Sequence, residues 1–255
     1  MKKTLGAVMF VHNGETLDYN YRETIENMKS FADHVVVLDA GSTDGTAEIC
    51  KQYEDEKTKV VCLTTAEWEA QRGKEKLAYF QNVAKGYLDT DYYAVIQADE
   101  VLHEDSFPYL RAAMAIGVEA YMCHRANLWF NPWLELTVPQ DRKPCSSQVI
   151  RLAKLQYDST GDGESIDCHL VSMDFVKFIR IYHMGFVRDP EIMKKKVIYI
   201  QEKVFETPHD RRLDEDEKFN PHRYFDIERD VKPIPEELPE SIQKWAEARY
   251  PGKKP

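Results

Sequence analysis

The sequence predicts an α/β protein: a mostly parallel sheet flanked by helices, with an elaborated C-terminal part. Two observations carry this. The run Val35-Val-Val-Leu38 is continuously apolar and valine-rich, as in a parallel strand whose two faces are both covered. Strand-like and helix-like stretches also alternate through the first half of the chain, which implies parallel strands joined by right-handed crossovers. The first strand is expected over 5–11. A helix over 21–31 puts Ile25, Met28 and Phe31 near one face. The next strand covers 34–39 and is followed by a helix over 43–53. A short strand over 60–63 leads into a long helix over 68–88. The fourth strand is 92–97, and a helix over 105–116 tolerates Pro108 in its first turn.

From Ala120 the rhythm changes. Strands are expected over 121–130 and 147–155, separated by a proline-rich loop holding Trp133, Pro139 and Pro144. A loop over 158–164, a strand over 178–183 and a helix over 190–206 follow. The tail from Thr207 is charged and rich in proline (Pro208, Pro221, Pro233, Pro235, Pro239, Pro251), so extended pieces on the surface and one short helix over 241–249 are expected. The predicted organisation is one domain over 1–206, with halves 1–118 and 119–206, and an extension over 207–255 packed on its surface.

At 255 residues the chain can bury a full core. Its 43% hydrophobic and 31% charged residues describe a globular protein rather than a disordered one. A net charge of −10 argues against a general nucleic-acid binder, although a local basic groove stays open. The five cysteines (Cys50, Cys62, Cys123, Cys145, Cys168) form no Cys-x-x-Cys pair and suggest reduced, mostly buried thiols of a cytoplasmic protein. The apolar part of the N-terminus is too short for a signal peptide. No stretch approaches the ~20 apolar residues of a membrane span.

The segment Val35-Val-Val-Leu-Asp39-Ala-Gly41-Ser-Thr-Asp44-Gly45-Thr46 places Asp39 at the carboxyl end of a central strand, where open α/β sheets bind small ligands. Gly41 and Gly45 allow a tight turn, and Ser42, Thr43 and Asp44 suit a helix N-cap. This segment resembles the first signature of the family 2 inverting glycosyltransferases, enzymes of the GT-A fold that use nucleotide sugars. Tyr92-Tyr-Ala-Val-Ile-Gln97-Ala-Asp99-Glu100-Val-Leu-His-Glu104 resembles the second signature, a strand ending in an Asp-x-Asp-type metal motif. The resemblance covers roughly residues 1–115.

The resemblance implies a GT-A-like fold, a nucleotide-diphosphate sugar donor (a UDP-sugar first), a hydroxyl acceptor in glycan or lipopolysaccharide assembly, and Mn²⁺ or Mg²⁺. It assigns Asp39 to the nucleotide base, and Phe10, Val11, Asn13 and Glu15, in a stretch like the family's Asn-x-Glu, to the nucleoside. Asp99 becomes a metal ligand, since hard divalent cations take oxygen ligands and bridge carboxylates to phosphates. Gln97, where the family has its first Asp, and Ala98 fall on the donor side. His183, in His183-Met-Gly-Phe-Val-Arg188, would complete the metal site after a strand broken at Gly185, and Arg188 would pair with the diphosphate.

An inverting transfer also needs a carboxylate base. Asp167 is the first choice and Glu164 the second, with Asp141 and Asp162 as further candidates. Arg151 could orient an acid or bind phosphate. Trp129, Phe130 and Trp133 could form an acceptor platform or pack the core. Other chemistries fit less well. A haloacid-type phosphatase would need its nucleophile where Ser42 stands, and no Gly-x-Gly-x-x-Gly or P-loop follows the first strand. The rival is a catalytically silent GT-A-like domain used for binding or scaffolding.

Overall fold

A computed structural model describes residues 3–137, 146–206 and 227–254. Asp141, Cys145, Pro139, Pro144, Pro208 and Pro221 lie outside these described residues. The first half builds β1 (Leu5–Val11), α1 (Tyr21–Phe31), β2 (His34–Asp39), α2 (Thr46–Lys51), β3 (Thr58–Cys62), α3 (Thr65–Ala70), α4 (Glu75–Lys85) and β4 (Tyr92–Val95). These strands run parallel in the order β3-β2-β1-β4. β1 therefore has its successor on one side and β4 on the other, and this reversal opens a crevice at the strands' carboxyl ends.

The apolar run of β2 serves two cores. Val35 and Val37 face the α1 side with Ile25, Met28 and Phe31, while Val36 and Leu38 face Trp68, Phe80 and Ala84. Burying each such large side chain is worth about 1.5–3 kcal/mol, so a polar residue at any of these strand positions would lose one face.

Helices differ from expectation where turn chemistry intervenes. The single helix expected over 68–88 is two. Thr64 and Glu67 form a reciprocal capping box that starts α3 early, and Gly73, at φ +66°, breaks the chain before α4. α2 starts only at Thr46 because Gly45 sits left-handed at φ +90°. Asp44 holds Thr46 and the Thr16 amide rather than capping a longer helix.

The second half comprises β5 (Glu100–Leu102), α5 (Phe107–Ile116), β6 (Ala120–Trp129), β7 (Asn131–Leu136), β8 (Gln148–Lys154), β9 (Ser159–Thr160), β10 (Ser165–Ile166), β11 (Val171–Ser172), β12 (Arg180–Phe186), α6 (Pro190–Ile200), α7 (Ile227–Asp230), β13 (Val231–Pro233) and α8 (Glu240–Arg249). β8 joins β4 antiparallel and carries the sheet on through β6, β7 and β13. β12 lies parallel to β6 and antiparallel to β5, so it returns beside the segment that follows β4. It also runs through Gly185 with an irregular register between His183 and Phe186, where a break was expected.

Trp133 lies in β7 rather than in a loop, and Trp129 and Trp133 are buried in core clusters instead of forming an open platform. The four described cysteines are free thiols. No described helix is long and apolar enough to cross a membrane.

Candidate active site

The crevice widens into a cavity of about 300 Å³. The end of β1 (Phe10, Val11, His12), the residues after β4 (Gln97, Ala98, Asp99), the end of β12 (His183, Gly185, Phe186), the β9–β10 turn (Asp162, Glu164) and one face of α6 line it. Of the residues singled out in the sequence, Phe10, Val11, Gln97, Ala98, Asp99, Asp162, Glu164 and His183 are brought together on its wall. Asn13, Glu15, Asp39, Asp167 and Arg188 are not wall residues.

Asp99 is the electrostatic centre. It is 4% exposed, and its Oδ2 accepts from Lys196 Nζ at 2.8 Å and from Arg188 at 3.3 Å. Burial alone would raise its pKa, but Lys196, His183 and Arg188 hold it well below the usual carboxylate range. Arg188, although off the wall, is locked by the carbonyls of Leu17, Met184 and Gly185, and both cations lie over the Tyr19 ring.

The other Asp99 oxygen, Oδ1, faces His183 Nε2 at 3.7 Å. Asn127 donates its amide N–H to the Ser146 carbonyl and so turns Oδ1 toward His183 Nδ1 at 3.0 Å. His183 therefore carries its proton on Nδ1, and burial pushes its pKa down to about 3. A neutral imidazole lone pair and a carboxylate oxygen thus face each other across a gap too wide for a hydrogen bond. An outer-shell amide fixing the tautomer of a histidine in this way is how proteins orient metal ligands.

Glu100, next in sequence, has a different task. It is fully buried, accepts from Arg151 at 2.9 and 3.0 Å and from Arg125 at 3.3 Å, and is held ionised near pKa 2. Burial opposes that shift, and the Arg151 pairing is the larger of the two that cause it. Arg151 is thus a partner of Glu100. Arg125 reaches on to Glu164 at 2.5 Å, so both Glu164 oxygens are engaged. Asp162 lines the cavity between Gly161 and Gly163, both at positive φ. Asp167 is exposed beyond β10 and does not line the cavity, whereas Asp162 and Glu164 do.

At the end of β2, Asp39 Oδ1 accepts from the Gly41 and Ser42 amides, while the buried Oδ2 has no hydrogen-bond partner among the described residues. Burial raises the pKa of this carboxyl. Asn13, left-handed at φ +50°, ties the two strand-end loops together through Ser42 and Thr43. Glu15 is turned outward to Tyr21 and Arg22. His12 stacks on Trp68 at 4.0 Å, an aromatic wall that motif spacing did not reveal.

Lys196 is the main residue the sequence reading missed. A signal existed: Met193, Lys196, Val197 and Ile200 follow helical spacing, which places one lysine of the Lys194–Lys195–Lys196 run on the buried face.

Residues 8–128 match the family described as Glycosyl transferase family 2, which bears out the resemblance drawn from the two signatures. The mixed, mostly parallel sheet with its crevice at the β1–β4 reversal is the GT-A fold. No curated protein matches the chain. Among solved structures it is similar to S. aureus TarS 1-349, at 13% identity and TM-score 0.46 over 78% of this chain and 65% of that one. The same protein in complex with UDP-GlcNAc gives 14% identity, a TM-score of 0.46, and 78% and 66% coverage. The mannosyltransferase PcManGT from Pyrobaculum calidifontis, in complex with GDP-Man and Mn²⁺, is 22% identical over 49% of this chain and 36% of its own, with TM-score 0.36. The chain thus spans about two thirds of the TarS fragment's length.

Proposed function

We propose that this protein is a glycosyltransferase that moves a sugar from a nucleotide-diphosphate donor, a UDP-sugar first, to an acceptor hydroxyl with inversion. The observation that carries the proposal is the Asp99 centre: one buried carboxylate at the sheet's reversal, flanked by two cations and faced by a neutral histidine. A diphosphate is the ligand that matches two fixed cations beside a carboxylate–imidazole pair.

Mn²⁺ or Mg²⁺ fits the donor set. Asp99 Oδ1 and His183 Nε2 would be the protein ligands, and such ions characteristically take few protein ligands and fill the remainder with substrate oxygens and water. When bound, the ion supplies positive charge to the diphosphate oxygens.

The chain's own residues do the rest. Asp39 Oδ2 is an acceptor for the imide N–H of a pyrimidine base. Asp162 takes the acceptor hydroxyl's proton as that oxygen attacks the anomeric carbon from the side opposite the diphosphate. The bond from that carbon to the diphosphate oxygen breaks, and Lys196 and Arg188 stabilise the charge that develops on the leaving group. The apolar part of the wall (Phe10, Leu77, Met193, Val197) keeps water from competing as acceptor.

Calorimetric titration of UDP, GDP and their sugar conjugates, with and without Mn²⁺, tests this in wild type and Asp99→Asn. Expected is one preferred nucleotide whose Mn²⁺-enhanced binding is lost in the variant. Binding without turnover, even toward water, would support the silent-domain alternative. No binding by any nucleotide would overturn the proposal.

A further inference from the structure

One side chain of the cavity wall has no part in the chemistry above. Gln81, on α4, lines the cavity and is 2% exposed, yet its Oε1 has no hydrogen-bond partner among the described residues. Such orphaned acceptors are uncommon in folded proteins, and this one belongs to a side chain of the cavity wall, where a small turn of the carboxamide would offer it to a ligand. The β9–β10 turn lies against its carboxamide: Gly163 sits at φ +78°, which favours glycine, and a Cβ there would come within 2.6 Å of Gln81 Nε2. Gly163 also gives its carbonyl to Arg151 at 3.4 Å, which ties the turn to the buried Glu100 network.

The residues on either side of Gly163 bring Asp162 and Glu164 to the same wall, with Glu164 fixed by the fully buried Arg125. This patch therefore offers a neutral amide oxygen and two carboxylates. A diphosphate has no donor to give it, and a pyrimidine's single imide N–H is matched by Asp39. Hydroxyls are the remaining donors of a nucleotide sugar, on its ribose and on the transferred sugar, and UDP, which carries only the ribose, tells the two apart.

We infer that Gln81 is a specificity-determining residue that accepts a hydroxyl hydrogen bond from the donor's sugar. We further infer that the Gln81–Glu164 wall selects a neutral hexose or acetamido-hexose over one bearing a carboxylate. A uronic acid would bring a further carboxylate against Asp162 and the Arg125-paired Glu164, with no cation among the described residues of the wall left on that side to receive it. The inference rests on the nucleotide-sugar proposal and adds to it the class of sugar.

Calorimetry with UDP, UDP-glucose, UDP-N-acetylglucosamine and UDP-glucuronate, all with Mn²⁺, tests it in wild type, Gln81→Leu and Gln81→Met. Expected are at least tenfold weaker binding of UDP-glucuronate than of the better neutral UDP-sugar by wild type, and a tenfold or greater loss for that neutral sugar in both variants. UDP itself should bind all three proteins within about twofold. The ligand-free variants should melt no lower than wild type, since replacing an unpaired buried acceptor by an apolar group of similar shape removes a penalty. UDP binding intact while both variants hold the neutral UDP-sugar as wild type does would overturn the inference alone, as would equal loss of UDP and UDP-sugar. Failure of wild type to bind UDP would overturn the proposed donor and this inference together.

Discussion

At the scale of single residues, the Asp99 cluster separates what charge does for the fold from what it does for a ligand. Lys196 is 6% exposed and gives hydrogen bonds to Asp99 and the Gly185 carbonyl. Removing one partner of a buried pair costs about 3–5 kcal/mol when the other charge is left alone. Here Arg188 remains on Asp99, so Lys196→Met is expected to cost about 1–3 kcal/mol by chemical denaturation. The same change should weaken nucleotide-diphosphate binding tenfold or more while sparing the nucleoside, a difference that calorimetry reads directly. Wild-type affinity in the variant would remove Lys196 from the donor site.

His12 gives a prediction of the opposite electrostatic kind. It is stacked on Trp68, and burial, the largest cause, pushes its pKa from 6.5 down to about 4. The unfolded chain takes up a proton as the pH falls through 6.5, whereas folded His12 stays neutral until about 4. Stability should therefore fall with acidification across that window, by about 2 kcal/mol from this group between pH 6.5 and 5. Denaturation of His12→Gln at pH 7.5 and 5 should show a smaller acid loss than wild type, and parallel curves would refute it. Asp39, Asp99 and His183 were legible in the sequence because each stands in a short motif at or near a strand: Asp39 ends β2, Asp99 follows β4, and His183 lies in β12 just before Gly185. Lys196 and Gln81 were not singled out, and Asp162 was only a further candidate for the base, because helix phase and turn geometry bring them to the cavity, and spacing along the chain does not encode that convergence.

Among elements, the parallel core was read correctly because burial on two faces leaves continuous apolar runs. Boundaries went astray where glycine conformation overrode periodicity, as at the break between α3 and α4. The β2–α2 turn tests this. Gly41 and Gly45 both have left-handed backbones, at φ +76° and +90°, but a Cβ on Gly41 would lie 2.4 Å from the Thr64 carbonyl oxygen, whereas one on Gly45 meets nothing within 4 Å. Gly45→Ala should cost only the conformational strain, about 1–2 kcal/mol. Gly41→Ala adds about 1–3 kcal/mol of overpacking against backbone that has little room to yield. Melting temperatures should separate the two variants by several degrees, Gly41→Ala the lower. Equal melting would mean that the Thr64 segment moves aside freely. Because the Gly41 amide also holds Asp39 at 3.1 Å, Gly41→Ala should lose nucleotide affinity that Gly45→Ala keeps.

For the whole molecule, the open question is whether residues beyond 206 are an appendage or part of the fold. The sequence suggested a surface extension, since prolines and charges hide its few apolar positions. In the structure, β13 pairs with β7 at the sheet edge, and Leu238, Ile242 and Ala246 are buried with Val101, Leu128, Tyr182 and Met184. Polar contacts follow the same path. The Glu240 amide meets Glu104 at 2.9 Å, Arg180 pairs with Glu236 at 2.5 Å, and Arg249 pairs with Asp18. Leu238 and Ile242 alone account for about 3–6 kcal/mol of burial, a large share of the 5–15 kcal/mol that typically separates folded from unfolded. Deleting 207–255 would also bare the apolar partners of that cluster and an unpaired strand edge, a combination that favours aggregation. The truncated chain is therefore expected to be insoluble or to melt at least 10 °C below the full chain. The paired variant Ile242→Asp, which keeps every residue of the tail but charges its buried anchor, should show the same defect in milder form. If the truncated chain melts like the full one and binds nucleotide equally well, residues 1–206 form a self-sufficient domain and the tail's packing contributes nothing to it.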